Sequence, residues 1–121
     1  MHSKIVINGD YFFDLDGFYE VISEKIVKDE DWKIGTLDGF NDVLYGISGD
    51  FFWINSKKSS EDLGFQDTLN FLESKLKIGK PYNVNLISQQ KENLLSGKGQ
   101  TLFEILVEII EDHQNITLIL G

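Results

Sequence analysis

The sequence predicts a single α/β domain in which about four helices pack on a small parallel sheet of three strands. Three short apolar runs have the composition of strands: KIVIN at 4–8, DFFWIN at 50–55 and ITLIL at 116–120. Segments with helical spacing of apolar residues separate these runs, and strands that are joined through helices pair in parallel. A chain of 121 residues suits one domain. We therefore expect residues 1–121 to form it.

The first predicted strand leads into an amphipathic helix. Asn8 and Gly9 close the KIVIN run as a turn, and Asp14 can cap the helix by accepting a hydrogen bond from its first turn. Apolar residues then recur at helical spacing and form one face that can pack against the sheet. They are Leu15, Phe18, Tyr19, Ile22 and Ile26.

A second, shorter helix is predicted at about 37–45, within the segment WKIGTLDGFNDVLYG at 32–46. Leu37, Phe40 and Leu44 have helical spacing and can face the core. The opposite face of this helix is therefore expected to meet solvent.

Two carboxylates share that outer face. Asp38 and Asp42 are four residues apart, so on a helix they lie one above the other. Asn41 and Tyr45 extend the same face. Like charges at this spacing destabilise an isolated helix by roughly 0.2–0.5 kcal/mol, and the helix dipole offsets part of that cost near the N-terminus. The pattern fits either a plain solvated face or a surface that binds a basic partner.

The second predicted strand begins the remainder of the chain. The apolar residues of DFFWIN are consecutive, which predicts a strand buried on both faces. A polar loop, SKKSSED at 56–62, follows it. A third helix is predicted at 65–77, where apolar residues again have helical spacing, and Gly79 and Pro81 end it.

Residues 79–99 form the least regular part of the chain. The stretch 84–87 favours a short strand and 89–95 a helical turn. After them, Thr101 and Glu104 match a capping box, in which each side chain accepts a hydrogen bond from the backbone N–H of the other. A strongly apolar last helix is therefore predicted to start there.

Acidic residues outnumber basic ones and concentrate in one part of the chain. The net charge is −9, from 20 acids and 11 bases, and all 11 bases are lysines. Residues 10–50 hold 11 of the acids and three of the lysines, a net charge of −8. Such a surface repels nucleic acid and anionic membranes and attracts basic partners. An acidic surface that only keeps the protein soluble is the alternative.

The residue types also bear on chemistry and location. Without cysteine, neither a disulfide nor thiolate chemistry is possible, which fits a reducing compartment. The start of the chain lacks the pattern of a signal peptide. No apolar run approaches the ~20 residues that a membrane span needs. We therefore expect a cytoplasmic protein.

Three motif-like stretches do not satisfy the chemistry that they suggest. The stretch DLDG at 14–17 lacks calcium ligands at the outer loop positions. The stretch GKG at 97–99 lacks the spacing of a phosphate-binding loop. His113 lies late in a helix, where a histidine usually complements the dipole. We expect no catalytic residues, no metal and no cofactor, and the chain is not expected to be an enzyme.

Three blocks of the sequence resemble the barstar family of intracellular inhibitors of bacterial ribonuclease. IVINGDYFFDLDGFYEVI is similar to the family's first strand, turn and helix, and GTLDGFNDVL is similar to its acidic helix. TLFEILVEIIEDHQNITLIL is similar to its last helix and C-terminal strand. The blocks occur in the family's order, whereas residues 56–100 are longer than in the small member of the family and match poorly.

The resemblance implies a stoichiometric inhibitor whose acidic helix and preceding loop plug the active site of a basic ribonuclease. The carboxylates of Asp38 and Asp42 match the family's two key aspartates and stand in for RNA phosphates, with Asp42 as the deeper of the two. Trp32 falls at an aromatic contact and Glu108 at a further acidic one. The partner-binding residues expected on this basis are Trp32, Gly35, Thr36, Asp38, Asn41, Asp42, Tyr45 and Glu108.

The sequence departs from the family where specificity would be set. Asn41 stands where the small inhibitor has an aromatic residue, and the loop KIGT at 33–36 differs from the family's YGEN-like loop. The partner need not be barnase, and a bacterial toxin with a ribonuclease domain, with this chain as its immunity protein, fits well. We expect a monomer when free, with no nucleic-acid or membrane partner. The alternative is a barstar-like adaptor or regulator that binds a basic protein other than a nuclease.

Overall fold

A computed structural model of the chain describes residues 3–27 and 32–121. Within these ranges it contains three strands, six α-helices and a 3-10 helix at Gly9–Tyr11. The strands are β1 (Ser3–Asn8), β2 (Gly49–Ile54) and β3 (Ile116–Leu120). The helices are α1 (Leu15–Ile26), α2 (Leu37–Leu44), α3 (Ser56–Asp62), α4 (Phe65–Ile78), α5 (Val84–Leu95) and α6 (Leu102–Glu111).

The three strands form one parallel sheet in the order β1-β2-β3. In the central strand, Phe51 pairs with Ile5 of β1 and with Leu118 of β3. Trp53 pairs with Ile7 in the same register. The predicted α/β class and the predicted three-stranded parallel sheet are confirmed.

An aromatic cluster connects the sheet to the helices that cover it. Phe51 and Trp53 of β2 are fully buried. Phe18 of α1 stacks on the Trp53 ring with centroids 5.4 Å apart, and it meets the Phe40 ring of α2 edge-on at 5.3 Å. Rings in these geometries attract one another beyond the effect of their burial. The cluster therefore fixes α2 against α1 and the sheet.

The prediction that β2 is buried on both faces is wrong. Phe52 and Ile54 alternate with Phe51 and Trp53 along the strand, and Ile54 is 44% exposed. The amino group of Lys4 lies 5.1 Å from the centroid of the Phe52 ring. A lysine can cover apolar surface with its stem while its charge stays in water. A run of consecutive apolar residues therefore belongs here to a strand with only one fully buried face.

The described residues form six helices where about four were predicted, and α3 is one of the additions. The stretch predicted to be a polar loop has no apolar stripe, so its helix depends on contacts with other elements. Ser59 accepts a hydrogen bond from the indole N–H of Trp53 at 2.9 Å. Lys58 donates to the carbonyl oxygens of Gly9 and Phe12. Tertiary contacts stabilise most helices in proteins more than intrinsic propensity does.

The second addition is α5, which occupies most of the segment predicted to be irregular, 79–99. The prediction of a short strand at 84–87 is wrong, because these residues form the first turn of α5. Asn83 caps α5 by accepting a hydrogen bond from a backbone N–H of its first turn at 3.1 Å. Ile87 and Leu94 are buried against Leu72 of α4, in a small hydrophobic cluster separate from the main core. The segment therefore packs as a helical pair with α4.

The predicted caps of α1 and α6 form. The carboxylate of Asp14 accepts a hydrogen bond from the Gly17 N–H at 2.8 Å. At the start of α6, Thr101 and Glu104 make both bonds of the capping box. These helix starts could be predicted because the capping residues and the N–H groups that they bind are close in sequence.

Candidate partner-binding site

The inner face of α2 holds the helix against the core. Phe40 and Leu44 are fully buried, and Leu37 packs against the same cluster. The hydroxyl of Thr36 caps the helix by accepting a hydrogen bond from the Gly39 N–H at 2.9 Å. Because the buried residues determine how the helix is rotated, its acidic face must point outward.

Asp38 and Asp42 lie on this outer face, and both are exposed. Within the described part of the chain, neither side chain forms a hydrogen bond or an ion pair with another residue. The ion pairs found there are Lys58–Asp62 and Lys91–Glu73. Asp38 lies in the first turn, where the helix dipole favours an anion. Asp42 lies in the last turn, where the dipole opposes one. The fold therefore gains nothing evident from Asp42.

The loop before α2 is anchored through one residue. Ile34 is buried, and its N–H donates a hydrogen bond to the Ser23 hydroxyl of α1 at 2.9 Å. Trp32, Gly35 and Thr36 are exposed, Trp32 to 48%. A Cβ on Gly35 would meet no atom within 4 Å. The loop thus has a fixed position, and packing does not require glycine at position 35.

A histidine beyond the end of α6 reaches the flank of the acidic face. His113 is only 8% exposed, and its Nε2 atom lies 2.8 Å from Oδ1 of Asn41. The exposed Tyr45 ring meets the imidazole edge-on, with centroids 4.6 Å apart. His113 follows the C-terminus of α6, as the sequence predicts, but its side chain is hydrogen-bonded to Asn41 of α2. The sequence holds no signal for this contact, because 72 residues separate the two partners.

Seven of the eight predicted contact residues lie in the loop and in α2 with its C-cap. The eighth, Glu108, is on α6, which packs against α2. Glu108 is exposed, and its carboxylate accepts a hydrogen bond from the Gln100 side-chain amide. Among the residues on or beside α2, Asn41 is partly buried and held by His113, unlike the exposed Asp38 and Asp42. The face therefore combines unengaged carboxylates with one fixed carboxamide.

A cleft of about 480 Å³ lies among α4, α5 and the segment that leads into α6. Leu37 of α2 forms part of its wall. Lys75 and Lys98 line the cleft and no carboxylate does. Its charge is opposite in sign to that of the outer face of α2, so the two regions suit different kinds of ligand.

Burial raises the pKa values of two ionisable groups that lie away from α2. It raises the pKa of the Tyr19 hydroxyl, with a smaller contribution from the charge of Asp16. Burial also raises the pKa of Asp67, and the nearby Asp14 carboxylate adds to that rise. Over residues 3–27 and 32–121, no three histidine, aspartate or glutamate side chains come together in a way that could hold a metal ion.

Comparisons of the chain with protein families, with curated proteins and with solved structures find no match. The resemblance to the barstar family therefore depends on the three sequence blocks and on the order of the elements. None of the helices in the described ranges has the length and apolar character required to cross a membrane.

Proposed function

We propose that the chain is a barstar-like inhibitor of a basic ribonuclease or ribonuclease-type toxin, and that it serves as an immunity protein in the bacterial cytoplasm. In this proposal α2 and the loop before it enter the enzyme's active site, and the carboxylates of Asp38 and Asp42 occupy the places of RNA phosphates. The proposal rests on one observation: two exposed carboxylates lie one turn apart on α2 without a partner among the described residues.

The electrostatics of the face favour a basic partner. Asp38 and Asp42 repel each other, and Asp42 also opposes the helix dipole. Lysine, arginine or protonated histidine on a partner would offset both costs. The excess of acids over residues 10–50 would also steer such a partner toward this side during diffusional encounter.

The packing that holds the acidic face in place suits tight binding. Phe40 and Leu44 fix α2, while Ile34 and its hydrogen bond to Ser23 fix the loop. A surface that is already ordered loses less conformational entropy when it binds. We therefore expect association with little backbone rearrangement, and a monomer before association.

The element order supports the family assignment, although a fold alone does not specify function. A parallel sheet of three strands, with a short acidic helix between β1 and β2, is the arrangement that the resemblance implies. Asn41 replaces the aromatic residue of the small inhibitor. This difference at the flank of the acidic face favours a ribonuclease other than barnase.

Affinity capture with three baits tests the proposal. The baits are wild type, the double variant Asp38→Asn/Asp42→Asn and the control Glu20→Gln/Glu24→Gln. The control removes two exposed carboxylates, also four residues apart, from α1. Each bait is incubated with proteins of the organism that makes the chain, including secreted ones. Captured proteins are identified by mass spectrometry and assayed for RNA cleavage.

We expect wild type and the control to capture a basic ribonuclease that the Asp38→Asn/Asp42→Asn variant does not capture. Capture of the same ribonuclease by all three baits would show that α2 is not the binding face. Capture of a basic protein without ribonuclease activity would favour the adaptor or regulator function instead. If no basic protein is retained by wild type, the inhibitor proposal fails.

A further inference from the structure

We infer that His113 sets the partner specificity of the acidic face by turning the amide nitrogen of Asn41 outward as a hydrogen-bond donor. The part of this inference that concerns a partner rests on the proposed function of α2. The part that concerns the orientation of Asn41 can be tested on the free protein.

The contact between the two side chains determines which atom carries the proton. Nε2 of His113 lies 2.8 Å from Oδ1 of Asn41. A carboxamide oxygen can only accept, so this bond requires a hydrogen on Nε2. The other branch of the amide, Nδ2 of Asn41, then points away from the imidazole. It donates to no other residue within 3–27 and 32–121, so its N–H groups are available to water or to a partner.

The imidazole is held firmly enough to fix the amide. The backbone N–H of His113 donates to the Ile110 carbonyl at 3.2 Å, and its own carbonyl accepts from the Ile116 N–H at 3.1 Å. The side chain is almost fully buried, and the Tyr45 ring packs on it edge-on. In the tautomer with hydrogen on Nε2, rotation of the Asn41 amide would place an N–H group against another N–H group. The outward donor is therefore the arrangement that this tautomer favours.

This orientation changes the chemistry that the face offers. Asp38 and Asp42 present acceptors, and Asn41, on the same side of α2, presents a donor next to them. A partner surface with only cations would satisfy the two carboxylates and leave the amide N–H groups unpaired, which is costly once they are buried. The fitting partner places cationic groups opposite Asp38 and Asp42 and an oxygen acceptor opposite Asn41. Such a mixed pattern discriminates among basic proteins.

Nuclear magnetic resonance of the free protein tests the orientation. We expect the nitrogen shifts and long-range couplings of the His113 imidazole, at mildly alkaline pH, to show the tautomer with hydrogen on Nε2. An imidazole with hydrogen on Nδ1 would overturn the inference. This measurement needs no variant, so a failure of folding cannot obscure it.

Two substitutions sharpen the same test. His113→Gln can place an amide N–H near the position of Nε2, and we expect nitrogen-15 relaxation to show that the Asn41 side-chain amide keeps a high order parameter. His113→Leu removes the donor, and that order should be lost. If the Asn41 amide is equally ordered in His113→Leu, His113 does not position it.

Binding of the captured basic protein tests the specificity. Charge attraction alone predicts that Asn41→Asp, which adds a carboxylate, tightens binding to a basic partner. The outward donor predicts the opposite, a loss of roughly tenfold or more, because two acceptors would then face each other. The control Asn85→Asp adds the same charge at an exposed position of α5.

Unchanged or tighter binding by Asn41→Asp, relative to Asn85→Asp, would overturn the specificity role of Asn41. If capture yields no basic protein, the proposed function fails instead. The tautomer measurement still decides whether His113 holds the amide outward. Failure of the inference and failure of the proposed function are therefore distinguishable.

Discussion

The carboxylates on α2 differ from those near the starts of α1 and α4 in what engages them. Asp14 caps α1 by accepting from a backbone N–H. Asp62 binds Lys58, which in turn holds two carbonyl oxygens. The carboxylate of Asp67 is partly buried, and an interaction with the Leu15 backbone favours its ionised form. Each of these three carboxylates is therefore engaged by other groups of the fold.

The carboxylates of Asp38 and Asp42 have no such connection within the described residues. The carboxylates engaged within the fold and those on α2 contribute equally to the net charge, so composition alone cannot distinguish the two groups. Their surroundings can, because a carboxylate that already accepts hydrogen bonds from its own chain has less to offer a partner. Substitutions in the first group should therefore alter folding, and those on α2 should alter binding.

The largest effect is expected for Asp42→Ala. A charged residue at the centre of an interface can contribute several kcal/mol, so we expect the dissociation constant for the captured ribonuclease to rise by about 100-fold or more. The free energy of unfolding should stay the same or rise by a few tenths of a kcal/mol, roughly the repulsion between like charges one turn apart. Calorimetric titration and urea unfolding measure the two quantities. If Asp42→Ala lost stability and kept its affinity, Asp42 would support the fold rather than binding, contrary to the account.

The converse effect is expected for Asp14→Ala. Loss of an N-cap lowers the free energy of unfolding by about 1 kcal/mol, while affinity for the ribonuclease should not change. Asp14→Asn is the matched control, since asparagine caps as well as aspartate. Urea unfolding of the three proteins measures the effect. Equal stability of Asp14→Ala and wild type would show that this carboxylate does not support the fold.

A smaller effect, dependent on pH, is expected for Asp67→Asn. Burial and the charge of Asp14 raise the pKa of Asp67 in the folded protein above its ordinary 3.8. The folded state then binds a proton on Asp67 more tightly than the unfolded state does. The contribution of Asp67 to stability is therefore highest below pH 3.8 and decreases as the pH rises through the raised pKa. Asparagine keeps the shape and polarity of the side chain and cannot ionise, so it avoids this penalty. We expect the variant to be more stable than wild type at pH 7, by less than about 1 kcal/mol.

Unfolding by urea at several pH values tests this expectation for Asp67. The stability difference between Asp67→Asn and wild type should shrink as the pH falls toward 3.8. A difference that stays constant across this range would contradict a raised pKa at Asp67.

The smallest effect is expected for Gly35→Ala. A Cβ at this position meets no atom within 4 Å, so the fold should tolerate it. Alanine restricts the unfolded chain and can add about 0.4–1 kcal/mol of stability where the backbone permits it. We expect a several-fold loss of affinity, because the methyl group would come between the loop and the partner. Loss of stability instead would mean that Gly35 serves the fold.

The sequence predicts those elements whose determinants are local. The strands, the stripe of α1 and the capping box of α6 all depend on residues a few positions apart. In contrast, α3 depends on the bond between Ser59 and Trp53 and on the reach of Lys58 to distant carbonyl groups. No helical pattern in SKKSSED predicts those contacts.

The candidate site also has features with local determinants, which the sequence predicts, and features that depend on contacts between distant elements. The acidic face follows from the spacing of Asp38 and Asp42 together with the apolar positions of α2. The anchoring of the loop by Ser23 and the bond between His113 and Asn41 connect residues on different elements. Only the folded chain brings them together, and so the orientation of the Asn41 amide could not be predicted.

The most direct measurement of inhibition is a titration of the captured ribonuclease with the purified chain, followed by the rate of RNA cleavage. Wild type and Glu20→Gln/Glu24→Gln should abolish cleavage at a ratio of one to one. Asp38→Asn/Asp42→Asn should leave most of the activity at that ratio. Full cleavage by the ribonuclease while wild type remains bound to it would contradict inhibition through α2 and would indicate a binding function without inhibition.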